Sequence, residues 1–239
     1  MKNKIHLIVI NYNYNRFLVE NKKQILNAKK YCEGFVIVDD QSTQPIDELM
    51  KIYGQDVIVT KHKKSKHNSH NQINAIYSGI NHFKNINDDD LVWIMDADDI
   101  PLINKNIFSK TETSSIDFFM FSRKEENKKI TPYVKHPLWV KQTTTSSIIV
   151  RKHIFTKHER VLKSKSFPSV WYDIRISIIS QLQPEKKKIF ENILCERVFH
   201  KNNDSKRYVN KKNLIFYKVI KASLLSLSLK LRSVLTNTT

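Results

Sequence analysis

Leu91-Val92-Trp93-Ile94-Met95 runs straight into Asp96-Ala97-Asp98-Asp99, and this junction constrains the chain more than any other stretch. The apolar run is too short for a core helix and reads as a strand buried on both faces. Its carboxyl end must then present three carboxylates together. Taking like charges out of water is costly unless a cation or a set of donors neutralises them. An Asp-X-Asp at a strand end therefore suits a hard divalent ion, Mg2+ or Mn2+, which shares its shell with phosphate oxygens. A solvated acidic turn is the competing account, and the remaining sequence decides between them.

Two earlier segments have the same construction. Residues 5–10 read as a buried strand ending in Asn11-Tyr12-Asn13-Tyr14-Asn15. Residues 35–38 read as another, ending in Asp39-Asp40-Gln41-Ser42-Thr43. Between them, residues 17–31 carry helical spacing, with Leu18, Ile25, Leu26 and Ala28 as the inner face. A helix over 46–53, a third strand over 56–60 and a helix over 72–83 follow. This alternation predicts an α/β domain with a mostly parallel sheet flanked by helices. Such sheets bind ligands beyond the carboxyl ends of their strands. All three polar strand ends then fall on one edge, a coincidence that scattered loop polarity does not explain. The second half is less regular. It reads as a strand over 116–121, loop over 122–140, a Thr/Ser turn into a strand over 143–150, and a helix over 169–182. Residues 189–199 fit helix or strand.

Charge narrows the partner. The 239 residues hold 41 Lys and Arg against 23 Asp and Glu, a formal net charge of +18. The excess calls for an anionic partner: a phosphorylated substrate, an acidic membrane surface or nucleic acid. A nucleic-acid module would leave the acidic strand ends unexplained. Cys32 and Cys195 are too far apart in sequence for a zinc knuckle and too few for a disulfide scaffold. The three glycines form neither a Walker loop nor Gly-X-Gly-X-X-Gly, which disfavours a nucleotidyltransferase with an early Gly-rich loop. The opening residues are too soon polar for a signal peptide, and no stretch reaches the roughly 18 apolar residues of a membrane span.

Taken together, these motifs resemble family 2 glycosyltransferases, inverting nucleotide-sugar transferases with the Rossmann-like GT-A fold. The matching pieces are the strand into Asn11-Tyr12-Asn13, Val38-Asp39-Asp40-Gln41-Ser42-Thr43 and Met95-Asp96-Ala97-Asp98-Asp99. Weaker ones are Thr145-Ser146-Ser147-Ile148-Ile149-Val150-Arg151, Trp171-Tyr172-Asp173 and Glu196-Arg197-Val198-Phe199-His200. The resemblance implies transfer of a sugar, with a UDP-sugar the expected donor, to a hydroxyl of a surface glycan or lipid-linked acceptor. It implies nucleotide binding by Asn11, Asn13, Asp39, Asp40 and Asp96, and a Mn2+ or Mg2+ ion on Asp98 with His200. Asp173 is the implied general base, with Asp99 and Trp171 in support. The chain departs from the family at Tyr172, which replaces the first acid of the usual pair. It departs again at Lys66-His67-Asn68-Ser69-His70-Asn71-Gln72, which lacks the customary glycine and arginine.

The expected organisation is a nucleotide-sugar half over 1–115, an acceptor half of the same domain over 116–205, and a basic linker with an amphipathic helical tail over 206–239. That tail carries an apolar stripe at Tyr217, Ile220, Leu224, Leu227, Leu231 and Leu235 among lysines. Such a helix suits an anionic membrane interface. Packing on the domain or on a second copy, as a homodimer, is the alternative. The expectation is therefore a cytoplasmic enzyme, peripheral at the inner face of the cell membrane, with no nucleic-acid partner. His62, His67 and His70 read as parts of a solvated basic loop rather than a metal cluster.

Overall fold

The computed structural model describes residues 4–103, 115–136, 139–165 and 170–200. The expected tail over 206–239 lies outside these residues. In chain order the strands are β1 (Ile5–Asn11), β2 (Gly34–Asp39), β3 (Val57–Val59), β4 (Leu91–Asp96) and β5 (Ile100–Pro101). They continue with β6 (Phe118–Glu125), β7 (Lys128–Ile130), β8 (Tyr133–His136), β9 (Trp139–Lys141), β10 (Ile148–Arg151) and β11 (Lys187–Arg197). The helices are α1 (Asn15–Glu20), α2 (Lys22–Lys29), α3 (Asp47–Tyr53), α4 (Asn68–His82), α5 (Lys152–Lys157), α6 (Glu159–Leu162) and α7 (Tyr172–Leu182).

The expected α/β architecture is present. The main sheet runs β3-β2-β1-β4-β10-β6-β11-β5, with β7 on β6. Its first four strands are parallel. β10 lies antiparallel between β4 and β6. The chain therefore winds outward from β1 in one direction and returns on its other side as β4. That reversal of strand order opens a crevice at the carboxyl ends of β1 and β4, the usual ligand position in open α/β sheets.

Strand alternation supplies two cores. Leu91, Trp93 and Met95 face one side, with Leu18, Ile25, Ala28, Leu49 and Tyr53 from α1 to α3. Val92 and Ile94 face the other, with Ile73, Ile76 and Ile80 of α4 and Tyr172, Ile176 and Ile179 of α7. β4 is thus covered on both faces, as its unbroken apolar run requires. The Trp93 indole N–H, fully buried, donates to the Ser146 carbonyl at 2.9 Å.

Two expectations change, and one open reading is settled. The helix over 17–31 is two helices, because Asn21 leaves helical geometry at φ −98° and ψ 16°. Its N–H bonds back to Phe17 while its carbonyl receives Ile25, so its backbone closes one helix and opens the next. The loop over 122–140 contains the rest of β6 and three further strands. β6 and β7 are joined by Glu126 and Asn127, both at positive φ, the backbone of a tight hairpin turn. The charged run from Arg123 to Lys129, which reads as a solvated loop, concealed them. Residues 187–197 are a strand parallel to β6.

Gly79 lets α4 lie close to the sheet. A Cβ there would sit 2.6 Å from Ile8 Cγ2 and 3.1 Å from Val38 Cγ2. Alanine adds about 1 kcal/mol of helix propensity, but overpacking costs roughly 1–3 kcal/mol. Gly79→Ala is expected to lower Tm by about 2–6 °C in thermal unfolding; an unchanged or raised Tm would show that the helix moves out at no cost.

Candidate active site

The carboxyl ends of β1, β2 and β4 lie in register, Asn11 beside Asp39 and Ile10 beside Asp96. Beyond them is a cavity of about 310 Å³. Its walls carry Tyr12, Tyr14 and Asp40 from the first two strand ends, and Asp96, Asp98 and Asp99 from the third. Asn68, Asn71 and Gln72 come from the start of α4, and Thr143, Thr144 and Thr145 from the turn before β10. Trp171, Asp173 and Ile174 come from the start of α7, and Arg197 from the end of β11.

Asn11, Asn13 and Asp39 do not line this cavity; they build its rim. The Asn11 amide donates to Asp39 and to Asn15, each at 2.7 Å. Asp39 also accepts from the Ser42 hydroxyl at 2.6 Å and the Ser42 N–H at 3.0 Å. Asn13, at φ 61°, accepts from the Thr43 N–H at 2.8 Å. These bonds fill the Asp39 carboxylate and lock two strand-end turns together. Asp40, the next residue, faces the cavity. His62 Nε2 approaches it at 3.2 Å, and burial pushes its carboxyl above the ordinary value. Lys64 bonds the Gln41 carbonyl at 2.7 Å and lies 4.3 Å above the Tyr12 ring.

The acidic turn after β4 is held from below. Ala97 donates to the Ile10 carbonyl at 3.0 Å, and Asp99 N–H to the Asp96 carbonyl at 3.1 Å. The Ser146 hydroxyl accepts from Asp96 N–H at 3.0 Å and bonds the Asp99 side chain. Gln72 Nε2 donates to Asp96 Oδ1 at 3.2 Å. Asp98 Oδ2 lies 2.9 Å from His200 Nε2. The His200 ring is wedged against Tyr14 and Phe17, at 5.2 and 4.6 Å between centroids.

Four carboxyl groups therefore share one partly dry space. Burial raises Asp96 to about 7, with the charges of Asp98 and Asp173 adding to the effect. Burial likewise raises Asp98 and Asp173, and puts Asp99 well above its usual range. Arg197 opposes the rise at all four. It stands 3.4 Å from Glu125 and over the Phe199 ring. Among the described residues no three acidic, His or Cys groups close around a metal position. Asp98 and His200 nonetheless offer a carboxylate oxygen and an imidazole nitrogen side by side. The carboxylate suits Mn2+ or Mg2+, and the imidazole nitrogen suits the softer Mn2+ better than Mg2+, with phosphate oxygens and water to complete the shell.

Of the residues expected from sequence, Asp40, Asp96, Asp98, Asp99, Trp171 and Asp173 meet at the cavity, and His200 meets Asp98. Tyr172, at the position of the missing acid, points into the core, 1% exposed and stacked 6.1 Å from Phe155. Sequence reading assigned no role to Arg197, Gln72 or the threonine turn, and it took His62 and His70 for a solvated loop, whereas His62 is packed against Asp40 and His70 is buried in α4. Arg197 was visible in the quoted motif before His200; Gln72 carried no local signal.

Residues 6–174 match the family model described as glycosyl transferase family 2. Among solved structures, S. aureus TarS in complex with UDP-GlcNAc is similar, with a TM-score of 0.54 and 15% identity, covering 85% of this chain and 60% of that one. The mannosyltransferase PcManGT from Pyrobaculum calidifontis, in complex with GDP-Man and Mn2+, gives 0.56 and 13%, covering 85% and 59%. A 4-diphosphocytidyl-2C-methyl-D-erythritol synthase gives 0.52 and 12%, covering 87% and 97%. At these identities the likeness is one of fold, and this chain spans about 60% of the length of the TarS and PcManGT chains. No curated protein sequence matches.

Asp96 yields a test. A carboxyl with a raised folded pKa binds more protons in the native than in the unfolded state. Its contribution to stability therefore worsens as pH rises from about 4 to about 7, and stays adverse above that. Without ligand, Asp96→Asn is expected to melt about 2–4 °C above wild type at pH 8, the effect of roughly 1 kcal/mol. The gap should close toward pH 4. Equal melting temperatures at pH 8 would mean that the Asp96 charge is already neutralised.

Proposed function

Because this chain belongs to glycosyl transferase family 2, we propose that it transfers a sugar from a nucleotide-diphosphate donor to an acceptor hydroxyl with inversion. The observation that carries this reading is the convergence of Asp96, Asp98, Asp99 and Asp173 on one cavity with the turns after β1 and β2. A UDP-sugar is the expected donor. Tyr12, Asp40, Asn68 and Asn71 would receive the nucleoside, since a carboxylate accepts from a base N–H or a ribose hydroxyl. Asp39, Asn11 and Asn13 would act by fixing the turns that carry Tyr12 and Asp40. Asp96 would accept from the ribose or a metal-bound water, with Asp99 supporting the turn.

Asp98 and His200 would hold Mn2+ or Mg2+, which would neutralise the diphosphate charge as a Lewis acid. Arg197 would add a second positive charge on the same side. In the displacement, the acceptor oxygen forms a bond to the anomeric carbon from the face opposite the diphosphate. The bond to the diphosphate oxygen breaks, and the acceptor proton passes to Asp173. Burial makes Asp173 a stronger base than a solvated carboxylate. Trp171 and the hydroxyls of Thr143, Thr144 and Thr145 would line the acceptor side, where an aromatic face and hydroxyls suit a sugar.

A surface glycan or lipid-linked sugar is the proposed acceptor class, with the tail over 206–239 docking on an anionic membrane. That tail lies outside the described residues; among those described, no helix is long and apolar enough to cross a membrane. The 4-diphosphocytidyl-2C-methyl-D-erythritol synthase shares the fold, but the turn after β1 here is Asn-rich and carries no glycine for a phosphate loop.

Asp173→Asn is expected to lower nucleotide release from the cleaved sugar nucleotide by about 10²–10⁴-fold. Binding of UDP with Mn2+ should survive that substitution. Asp98→Ala should abolish the Mn2+-dependent part of UDP binding in calorimetry. Full turnover in Asp173→Asn would remove Asp173 as the base, and metal-dependent binding in Asp98→Ala would remove Asp98 as a ligand.

A further inference from the structure

Gln72 touches three separate walls of the cavity. Its Nε2 donates to Asp96 Oδ1 at 3.2 Å and to Thr145 Oγ1 at 3.4 Å, and its Oε1 accepts from the Tyr172 N–H at 3.4 Å. Chemistry fixes the direction of the amide. A peptide N–H only donates, so the Tyr172 N–H fixes Oε1 toward α7, and the flipped amide would oppose N–H to N–H. The residue is 9% exposed, so a mismatch there would be poorly relieved by water.

The Tyr172 N–H belongs to the first turn of α7, where backbone donors have no partner within the helix. Trp171, just before that turn, supplies no side-chain cap. Gln72 therefore caps α7 from a different helix, one residue before Asp173. The same amide restrains Asp96 through one hydrogen, and the hydroxyl of the turn before β10 through its Nε2 as well.

We propose that Gln72 is the positioning residue that sets the separation between Asp96, on the diphosphate side, and Asp173, on the acceptor side. The proposal rests on the reading of Asp173 as the general base. Gln72 acts through these two carboxylates: it keeps one Asp96 oxygen occupied so that the other is presented to the ligand. It also fixes where α7 begins, and so where the Asp173 carboxylate stands. Displacing a reacting group by about 1 Å costs on the order of 10²-fold in rate.

The test compares Gln72→Met, which keeps the length and packing but loses every hydrogen bond, with Gln72→Glu, which keeps the cap on Tyr172 and sets another carboxylate against Asp96. Nucleotide release is measured with whichever of UDP-GlcNAc, UDP-glucose and GDP-mannose the wild type cleaves. UDP affinity in the presence of Mn2+ is measured by calorimetry. In Gln72→Met, kcat is expected to fall about 10–100-fold, with the UDP Kd changed by less than about threefold. In Gln72→Glu, kcat is expected to fall at least as far although α7 stays capped. Wild-type turnover in either variant overturns the proposal. So does a loss of UDP affinity in Gln72→Met that accounts for the whole loss of turnover, since Gln72 would then be a ligand contact. Should Gln72→Met fail to fold, Gln72→Glu decides the matter on turnover alone. A wild type that neither binds UDP with Mn2+ nor cleaves a sugar nucleotide counts against the transferase reading itself, independently of Gln72.

Discussion

Repulsion among carboxylates held out of water is the constraint around which this molecule is built. Asp96, Asp98, Asp99 and Asp173 would each be more stable apart and solvated. The sheet denies them that: the parallel register of β1, β2 and β4 ends all three strands at one level, and α7 delivers Asp173 to the same space. The fold does not cancel the resulting strain from within. Arg197 and His200 soften it, yet the carboxyls still sit above their ordinary values. A site in this condition favours whatever brings positive charge, and under the proposed function Asp98 and His200 would hold a cation that supplies it.

Holding such a cluster in place requires a rigid surround. Two apolar cores clamp β4 from both faces, and Trp93 ties it to the strand-β10 side through the Ser146 carbonyl. Ser146 then serves twice more, taking the Asp96 N–H and bonding Asp99. On the other flank, the Asn11, Asp39 and Ser42 bonds fuse the turns after β1 and β2. Polar residues that look like ligands in the sequence thus divide into two groups. Those that touch the cavity are held by those that do not.

The sequence made the sheet legible because parallel strands buried on both faces leave short apolar runs, and because three of those runs ended in polar residues. It also located most of the acidic cluster, since Asp-X-Asp-Asp after such a run has few other physical uses. What it concealed has identifiable causes. The β6–β7 hairpin is written in lysine and glutamate, which read as loop. Asp39 and Asp40 are adjacent and chemically identical, and neither spacing nor charge says which of them bonds Asn11 and Ser42 and which faces the cavity. Gln72 works through partners more than 20 residues away in sequence, so no local pattern announces it. Tyr172 departs from the family pattern because its side chain serves the core behind α7 rather than the site.

The central claim is that these buried carboxyls exist to receive a cation-bridged diphosphate. Proton-linked calorimetry addresses it most directly. UDP is titrated into the protein at pH 7, with and without Mn2+, in two buffers of different ionisation enthalpy. With Asp96 titrating at about 7 in the free protein, binding of the metal and nucleotide should expel protons, and UDP should bind measurably only when Mn2+ is present. UDP binding that is indifferent to Mn2+ and leaves the proton count unchanged would contradict the account.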